Sequence, residues 1–345
     1  MKIHVYEGFR KTVEKSGVGR AMEHQKMIIG EYEPDNETSD FASADIVHIN
    51  TVFPDSVIAA LLSKALGKTV VSYGHSTMED FKNSFKGSDL LAPLFKRWIT
   101  FCYGLGDFII TPTEYSAGLI RSYGVKKPVE ALSNGIDTSF WCKDAAAGSA
   151  FRKKYNITDD KKVVISVGHF IGRKGIKEFV SLARKFPETE FIWFGYTNLS
   201  LVPSDIKEVV KGAPENVLFA GYVSKEELKG AYNGSDVFLF MSHEETEGIV
   251  VLEALSCGIE TLVRDIPVYE GWLKDGCEVL KCNDDTFEST LRNVLLGKRK
   301  SAPGEGRKLA LSRGYSKIGS KMNDFYRKYS PRKGGKYGKI YPAGR

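Results

Sequence analysis

Five cysteines in 345 residues, Cys102, Cys142, Cys257, Cys277 and Cys282, are odd in number and contain no C-x-x-C. That excludes an ordinary zinc ribbon and argues against a disulfide framework, so reduced structural thiols in the cytoplasm are the expectation. No apolar run reaches the roughly 20 residues of a membrane-spanning helix. No charged n-region with an apolar h-region precedes Lys2-Ile3-His4-Val5-Tyr6, which already reads as a strand, so no secretory signal is expected. No Asp-x-Asp pair occurs to hold a metal on a diphosphate. The turn Ser16-Gly17-Val18-Gly19-Arg20-Ala21-Met22 has two of the three glycines of a dinucleotide fingerprint, with Met22 where the third is needed. It reads as a loop whose backbone approaches phosphate or sugar at Gly17, not as an NAD site. Arg20 reads either as a phosphate ligand or as a solvated helix-start arginine.

Charge is present but unevenly spread. The net is +6, yet residues 296–345 carry 15 Lys and Arg against 2 Asp and Glu, while the rest carries 34 against 41. An acidic body with a basic end fits a polyanionic surface, either an anionic membrane leaflet or nucleic acid. The body contains no recognised nucleic-acid module, so no nucleic-acid partner is expected.

Apolar runs alternate between strand and helix periods. Strands are expected at 3–6, 46–49, 69–73, 108–111 and 129–132, then at 163–167, 191–194, 217–219, 237–240, 261–263 and 279–280. Helices are expected between them, at 55–66, 114–123, 176–185, 225–232, 249–257 and 285–296. Such alternation predicts an α/β chain with parallel, doubly wound sheets. Its length suits two domains. Ala145-Ala146-Ala147-Gly148-Ser149 breaks the pattern, so the linker is expected at about 140–161. A last helix is expected at 316–330, with Ile318, Met322, Phe325 and Tyr326 on one face. The Gly-, Lys-, Tyr- and Pro-rich residues past Pro331 are expected to be disordered.

The stretch Met241-Ser242-His243-Glu244-Glu245-Thr246-Glu247-Gly248-Ile249-Val250-Val251-Leu252-Glu253 carries the most chemistry. Ser235–Phe240 reads as a buried strand, Gly248 as a turn, and Ile249 onward as a helix. Glu245 therefore lies on a strand-to-helix loop and Glu253 on the helix, at the carboxyl edge of a sheet where ligands bind. The helix start offers N–H groups and a positive dipole end to an anion. Phosphate at Gly248 and Ile249, with hydroxyls on the two carboxylates, would suit a nucleotide sugar. Glutamates that merely complement the dipole are the plain alternative.

This string resembles the E-x7-E signature of retaining glycosyltransferases of the GT-B, family 4-like type. The usual form is E-G-F-G, where this chain has Glu245-Thr246-Glu247-Gly248. Val167-Gly168-His169-Phe170-Ile171-Gly172-Arg173-Lys174-Gly175 resembles the family's phosphate-binding turn, and Ser133-Asn134-Gly135-Ile136-Asp137 resembles the element ending its first domain. His75-Ser76-Thr77-Met78-Glu79-Asp80-Phe81-Lys82-Asn83-Ser84-Phe85 and Lys15-Ser16-Gly17-Val18-Gly19-Arg20-Ala21 are similar to bacterial diglycosyl-diacylglycerol synthases.

The resemblance implies two Rossmann-like domains facing a cleft, with a C-terminal helix crossing back. The expected division is 1–140, 141–312, the helix 313–330, and a basic tail 331–345. It implies Glu245 on donor-sugar hydroxyls, Glu253 on the ribose, Lys174 and Arg173 on the diphosphate, and His75 near the reacting centre. Glu79 and Asp80 read as solvated surface groups. The implied substrates are UDP-glucose or UDP-galactose as donor and a glycosyl-diacylglycerol as acceptor, with no further cofactor and no metal. A capsular or cell-wall polysaccharide intermediate is the alternative acceptor. The segment Phe81–Tyr103 interleaves apolar and aromatic residues with Lys82, Lys86, Lys96 and Arg97. It reads as a helix in a membrane interface, or as a core helix with a basic face. The implied location is the cytoplasmic face of the membrane, as a peripheral protein.

Overall fold

The computed structural model describes residues 1–9, 13–14, 16–32, 36–82, 84 and 87–330. The basic tail 331–345 lies outside the described residues, as do Lys15, Asn83, Phe85 and Lys86 of the segments above.

Strands β1 (Lys2–Tyr6), β2 (Glu37–Thr38), β3 (Ile46–Ile49), β4 (Thr69–Tyr73), β5 (Phe108–Thr111) and β6 (Val129–Ala131) form one parallel sheet in the order β2-β1-β3-β4-β5-β6. Strands β7 (Lys162–Val167), β8 (Thr189–Phe194), β9 (Val217–Gly221), β10 (Val237–Phe240), β11 (Glu260–Arg264) and β12 (Leu280–Cys282) form a second, in the order β12-β11-β10-β7-β8-β9. Every pairing is parallel. The expected doubly wound α/β architecture is therefore present. The strands are near-continuous apolar runs because both faces are covered. In the second sheet Val163, Ile165, Phe238 and Phe240 enter one core, while Val164, Val237 and Leu239 enter the other.

The strand order reverses between β1 and β3 in the first sheet and between β7 and β10 in the second. Those switch points leave a crevice at the carboxyl edge of each sheet. The loops that follow β1, β4, β7 and β10 carry the residues singled out above.

Three sequence expectations are corrected. Residues 145–149 do not break the pattern: Ala145–Lys154 is a helix, capped by the Asp144 carboxylate accepting from Ala147 N at 3.0 Å. Alanine is the best helix former, and Phe151 anchors this helix in the second core. Residues 81–103 are not one helix, because Met78–Phe81 and Ser88–Gly104 are separate. The third concerns Glu79 and Asp80 and belongs with the site.

The chain changes cores between Leu132, packed in the first, and Ile136, packed in the second. The Tyr315–Tyr329 helix returns to the first domain, where Ile318, Met322 and Tyr326 pack with Ile3, Val5, Ile28 and Phe108. The five cysteines are free thiols. Among the described residues no helix is long and apolar enough to cross a membrane.

Candidate active site

Gly248 sits at φ 86° and ψ 66° and opens the Ile249–Cys257 helix. A left-handed residue is needed to turn from β10 into the helix, and an added Cβ would lie 3.1 Å from the Tyr269 hydroxyl. The turn places Glu245 and Glu253 on the same side of the second domain, facing the first. Both carboxylates are buried, Glu253 completely.

Glu245 is held from within its own domain. Its Oε1 accepts from Ser242 Oγ at 2.6 Å and pairs with Lys174 Nζ, with Arg173 Nη1 at 3.6 Å. Burial opposes its charge, but Lys174 and Arg173 outweigh that and hold the carboxyl below its ordinary range. Burial pulls the Lys174 ammonium down, with Glu245 opposing. Both cations lie on the short 3-10 turn Gly172–Lys174 after β7. Gly175 at φ 78° ends that turn, where a Cβ would meet the Met241 carbonyl at 2.4 Å.

Glu253 is held from across the cleft. Its Oε1 accepts from Arg20 Nη1 at 2.8 Å and its Oε2 from Tyr232 at 3.1 Å. Burial raises its pKa, against the pull of Arg20. Arg20 is thus neither solvated nor free for phosphate in this conformation. Gly17 is the first residue of the Gly17–Glu31 helix, with nothing within 4 Å of the place a Cβ would take. Gly19 is the sterically required glycine, because a Cβ there would lie 2.4 Å from the Val13 carbonyl.

His75 follows β4 and is buried, with its ring stacked on Tyr73 at 4.6 Å. Burial pushes its pKa down to about 3, so the ring is neutral. Its Nε2 lies 3.0 Å from Asn50 Oδ1, which also accepts from Gln25 Nε2 at 2.8 Å. An amide oxygen can only accept, so Nε2 carries the proton and Nδ1 keeps its lone pair. Gln25 Oε1 in turn accepts from Asn50 Nδ2 at 2.9 Å and His48 Nδ1 at 3.2 Å, and Tyr326 donates to His48 Nε2 at 2.6 Å. A buried polar chain therefore runs from His75 to the C-terminal crossing helix.

Sequence reasoning missed four residues of this region. Asp80 is not a solvated surface group: its Oδ1 lies 2.9 Å from Arg173 Nη1. Its neighbour Glu79 accepts from the Tyr123 hydroxyl. Glu247, at the departure from E-G-F-G, is 1% exposed. It accepts from Asn134 N at 3.0 Å, Asn134 Nδ2 at 2.7 Å and Arg313 Nη1 at 3.1 Å. Glu244 accepts from the Tyr115 hydroxyl at 3.1 Å, and burial, reinforced by Asp80, raises its pKa to about 7. The signal was faint but present: three glutamates in a loop that enters a buried cleft cannot all be solvated.

The arrangement gathers two cations, a helix start and two carboxylates at the carboxyl edge of the second sheet, while the neutral histidine follows a strand of the first. It can neutralise a phosphate and hold several hydroxyls. Among the described residues no cluster of three or more His, Cys, Asp or Glu is placed to hold a metal.

Residues 149–302 match the description "Glycosyl transferases group 1" and residues 37–140 match "Glycosyltransferase Family 4". The chain is 38% identical to the processive diacylglycerol alpha-glucosyltransferase of Acholeplasma laidlawii, over 94% of this chain and 98% of that protein. It is 24% identical to the alpha-galactosylglucosyldiacylglycerol synthase of Streptococcus pneumoniae, over 72% of this chain and 67% of that one. In three dimensions it resembles Anabaena HepE in complex with UDP and glucose, with TM-score 0.75 and 14% identity, over 95% of this chain and all of that one. That last likeness is one of fold.

Proposed function

We propose that this chain, which belongs to the group 1 and family 4 glycosyltransferases, moves a hexose from a UDP-sugar, with retention, to a glycosyl-diacylglycerol. The product is a diglycosyl-diacylglycerol. The observation that supports this reading is the cluster of Arg173, Lys174 and Glu245 after two strand ends, with Glu253 tied to Arg20 of the first domain. The glycolipid acceptor is supported by the 38% identical relative, whose name is that of a diacylglycerol glucosyltransferase.

In this scheme Lys174, Arg173 and the helix start at Gly248 and Ile249 take the diphosphate. They neutralise the charge that develops as the sugar leaves. Glu245 accepts from donor-sugar hydroxyls. Glu253 accepts from the ribose, since an ionised carboxylate has more acceptor sites than its two present partners use. His75 accepts a sugar hydroxyl at Nδ1, the atom that the Asn50 contact leaves with a lone pair. The backbone at Gly17, clear of any side chain, is where donor can approach closely. The bond from the anomeric carbon to the diphosphate breaks and a bond to the acceptor oxygen forms on the same face. The acceptor's proton passes to the departing phosphate, so no protein nucleophile or metal is required.

A lipid acceptor requires a membrane-facing surface, and exposed apolar residues on two helices of the first domain support one there. The Ser88–Gly104 helix exposes Leu90 (87%), Leu91, Leu94 (65%), Trp98 and Phe101. The Pro54–Ala65 helix exposes Ile58 (60%), Leu61 and Leu62. Trp98 Nε1 donates to the Val52 carbonyl at 2.7 Å, which joins the former helix to the start of the latter. With Arg97 exposed on the same helix, this face suits an anionic leaflet, a cation adding about 1 kcal/mol near the surface.

The test is to supply labelled UDP-glucose and UDP-galactose separately on vesicles containing glucosyl-diacylglycerol. Labelled diglycosyl lipid from one donor is the expected result. Label that never enters lipid would move the acceptor to a polysaccharide intermediate.

A further inference from the structure

Both cations assigned to the donor are engaged within the protein. Lys174 is paired with Glu245. Arg173 is surrounded: Nη1 lies 2.9 Å from Asp80 Oδ1 and donates to the Glu244 carbonyl, while Nε donates to Ser84 Oγ at 3.2 Å. Arg173 and Lys174 supply two positive charges, which Asp80 and Glu245 already match. A nucleoside diphosphate brings at least two more negative charges. It gains little from cations that remain engaged, so it must take one from a carboxylate.

The two carboxylates are not equally replaceable. Glu245 has Ser242, Lys174 and Arg173 around it and belongs to the same domain as both cations. Asp80 has Arg173 as its only cation within ion-pair distance among the described residues, and it reaches that cation from the first domain. Burial raises the Asp80 pKa, with Arg173 opposing and Glu245 adding to the rise. Asp80 is therefore the weaker competitor for the shared cation.

We propose that Asp80 is an internal stand-in for the donor diphosphate: it holds Arg173 and yields it when donor binds. This rests on the diphosphate assignment made under Proposed function. Because Asp80 lies on the Met78–Phe81 helix of the first domain, the exchange also releases one contact between the domains.

The experiment is calorimetric titration of UDP into the full-length wild type, Asp80→Asn, Arg173→Gln and the double variant. Asp80→Asn removes the competing charge while keeping the shape, and UDP is expected to bind about tenfold more tightly to it than to wild type. Arg173→Gln is expected to bind more weakly, and adding Asp80→Asn to it is expected to recover nothing. Equal or weaker UDP binding by Asp80→Asn, with wild type binding normally, overturns this proposal alone. Failure of wild type to bind UDP at all overturns the donor assignment and this proposal with it. Should Asp80→Asn melt well below wild type, Asp80→Ser is titrated instead, with the same expectation and the same refuting result.

Discussion

Replacing Glu247 tests whether the E-x7-E loop is pinned to the rest of the molecule by one buried carboxylate. In Glu247→Ala the Asn134 N–H and amide lose their acceptor and Arg313 loses its counter-charge. Removing one partner of a buried ion pair costs about 3–5 kcal/mol, because the other charge stays behind. Arg313 retains some solvent and stacks on Trp272, its guanidinium carbon 3.9 Å from the ring centroid, so the lower end applies to that term. The orphaned Asn134 N–H adds about 1–3 kcal/mol. The expected loss is therefore about 4–6 kcal/mol, a large fraction of the roughly 5–15 kcal/mol that folded domains possess. Equilibrium urea unfolding of wild type, Glu247→Ala, Arg313→Met and the double variant measures it. The double variant should lose less than the two single losses added together, since each single change strands the other's charge. A Glu247→Ala loss below about 0.5 kcal/mol, the size of an ordinary surface change, would refute the reasoning. So would strictly additive single effects.

Four further outcomes are expected. Glu253→Gln should weaken UDP binding by roughly 10- to 100-fold, the worth of hydrogen bonds to a charged acceptor; an unchanged titration would remove it from the ribose. Activity should be the same in EDTA as in buffer, because Arg173, Lys174 and the helix start supply the positive charge; its abolition would bring a metal back into the mechanism. Leu90→Asp and Ile58→Asp should reduce flotation with anionic vesicles while leaving the melting temperature in place, and high salt should weaken wild-type binding too; flotation indifferent to lipid charge and salt would count against the assigned face. Glu244 has a folded pKa of about 7, above its ordinary value near 4.5, so it favours the folded state when protonated. Its stabilisation is complete below about pH 4.5 and fades as pH rises towards 7. Glu244→Gln should flatten that part of the melting-temperature profile, and identical profiles would show that Glu244 titrates as an ordinary glutamate.

Much of the fold was legible in the sequence because it rests on local patterns. A strand buried on both faces must be a continuous apolar run, which is why β3, β4, β5 and β10 stand where their residues suggested. The alanine-rich stretch at 145–149 misled because a change in composition was read as a break, although alanine favours a helix when an aspartate caps it. The one long helix expected at 81–103 failed at Lys82, whose ψ of 146° is extended and ends the first helix at Phe81, and a new helix starts after Gly87 at φ 82°.

At the site, the sequence by itself determined which side chains lie on which loop. Eight positions separate Glu245 from Glu253, a glycine turn lies between them, and two cations follow a strand end, all within short segments whose geometry is set by neighbouring residues. Only the tertiary structure decided what those side chains face. Arg20 reaches Glu253 across 233 positions, Glu247 reaches Asn134 across 113, and Arg173 reaches Asp80 from another domain. Such pairs form because two sheets bring their carboxyl edges together, and a single chain's periodicity records the faces of each element but not which face meets which. The charge on a buried group is decided there too, since desolvation and opposing ions act through space and not along the chain.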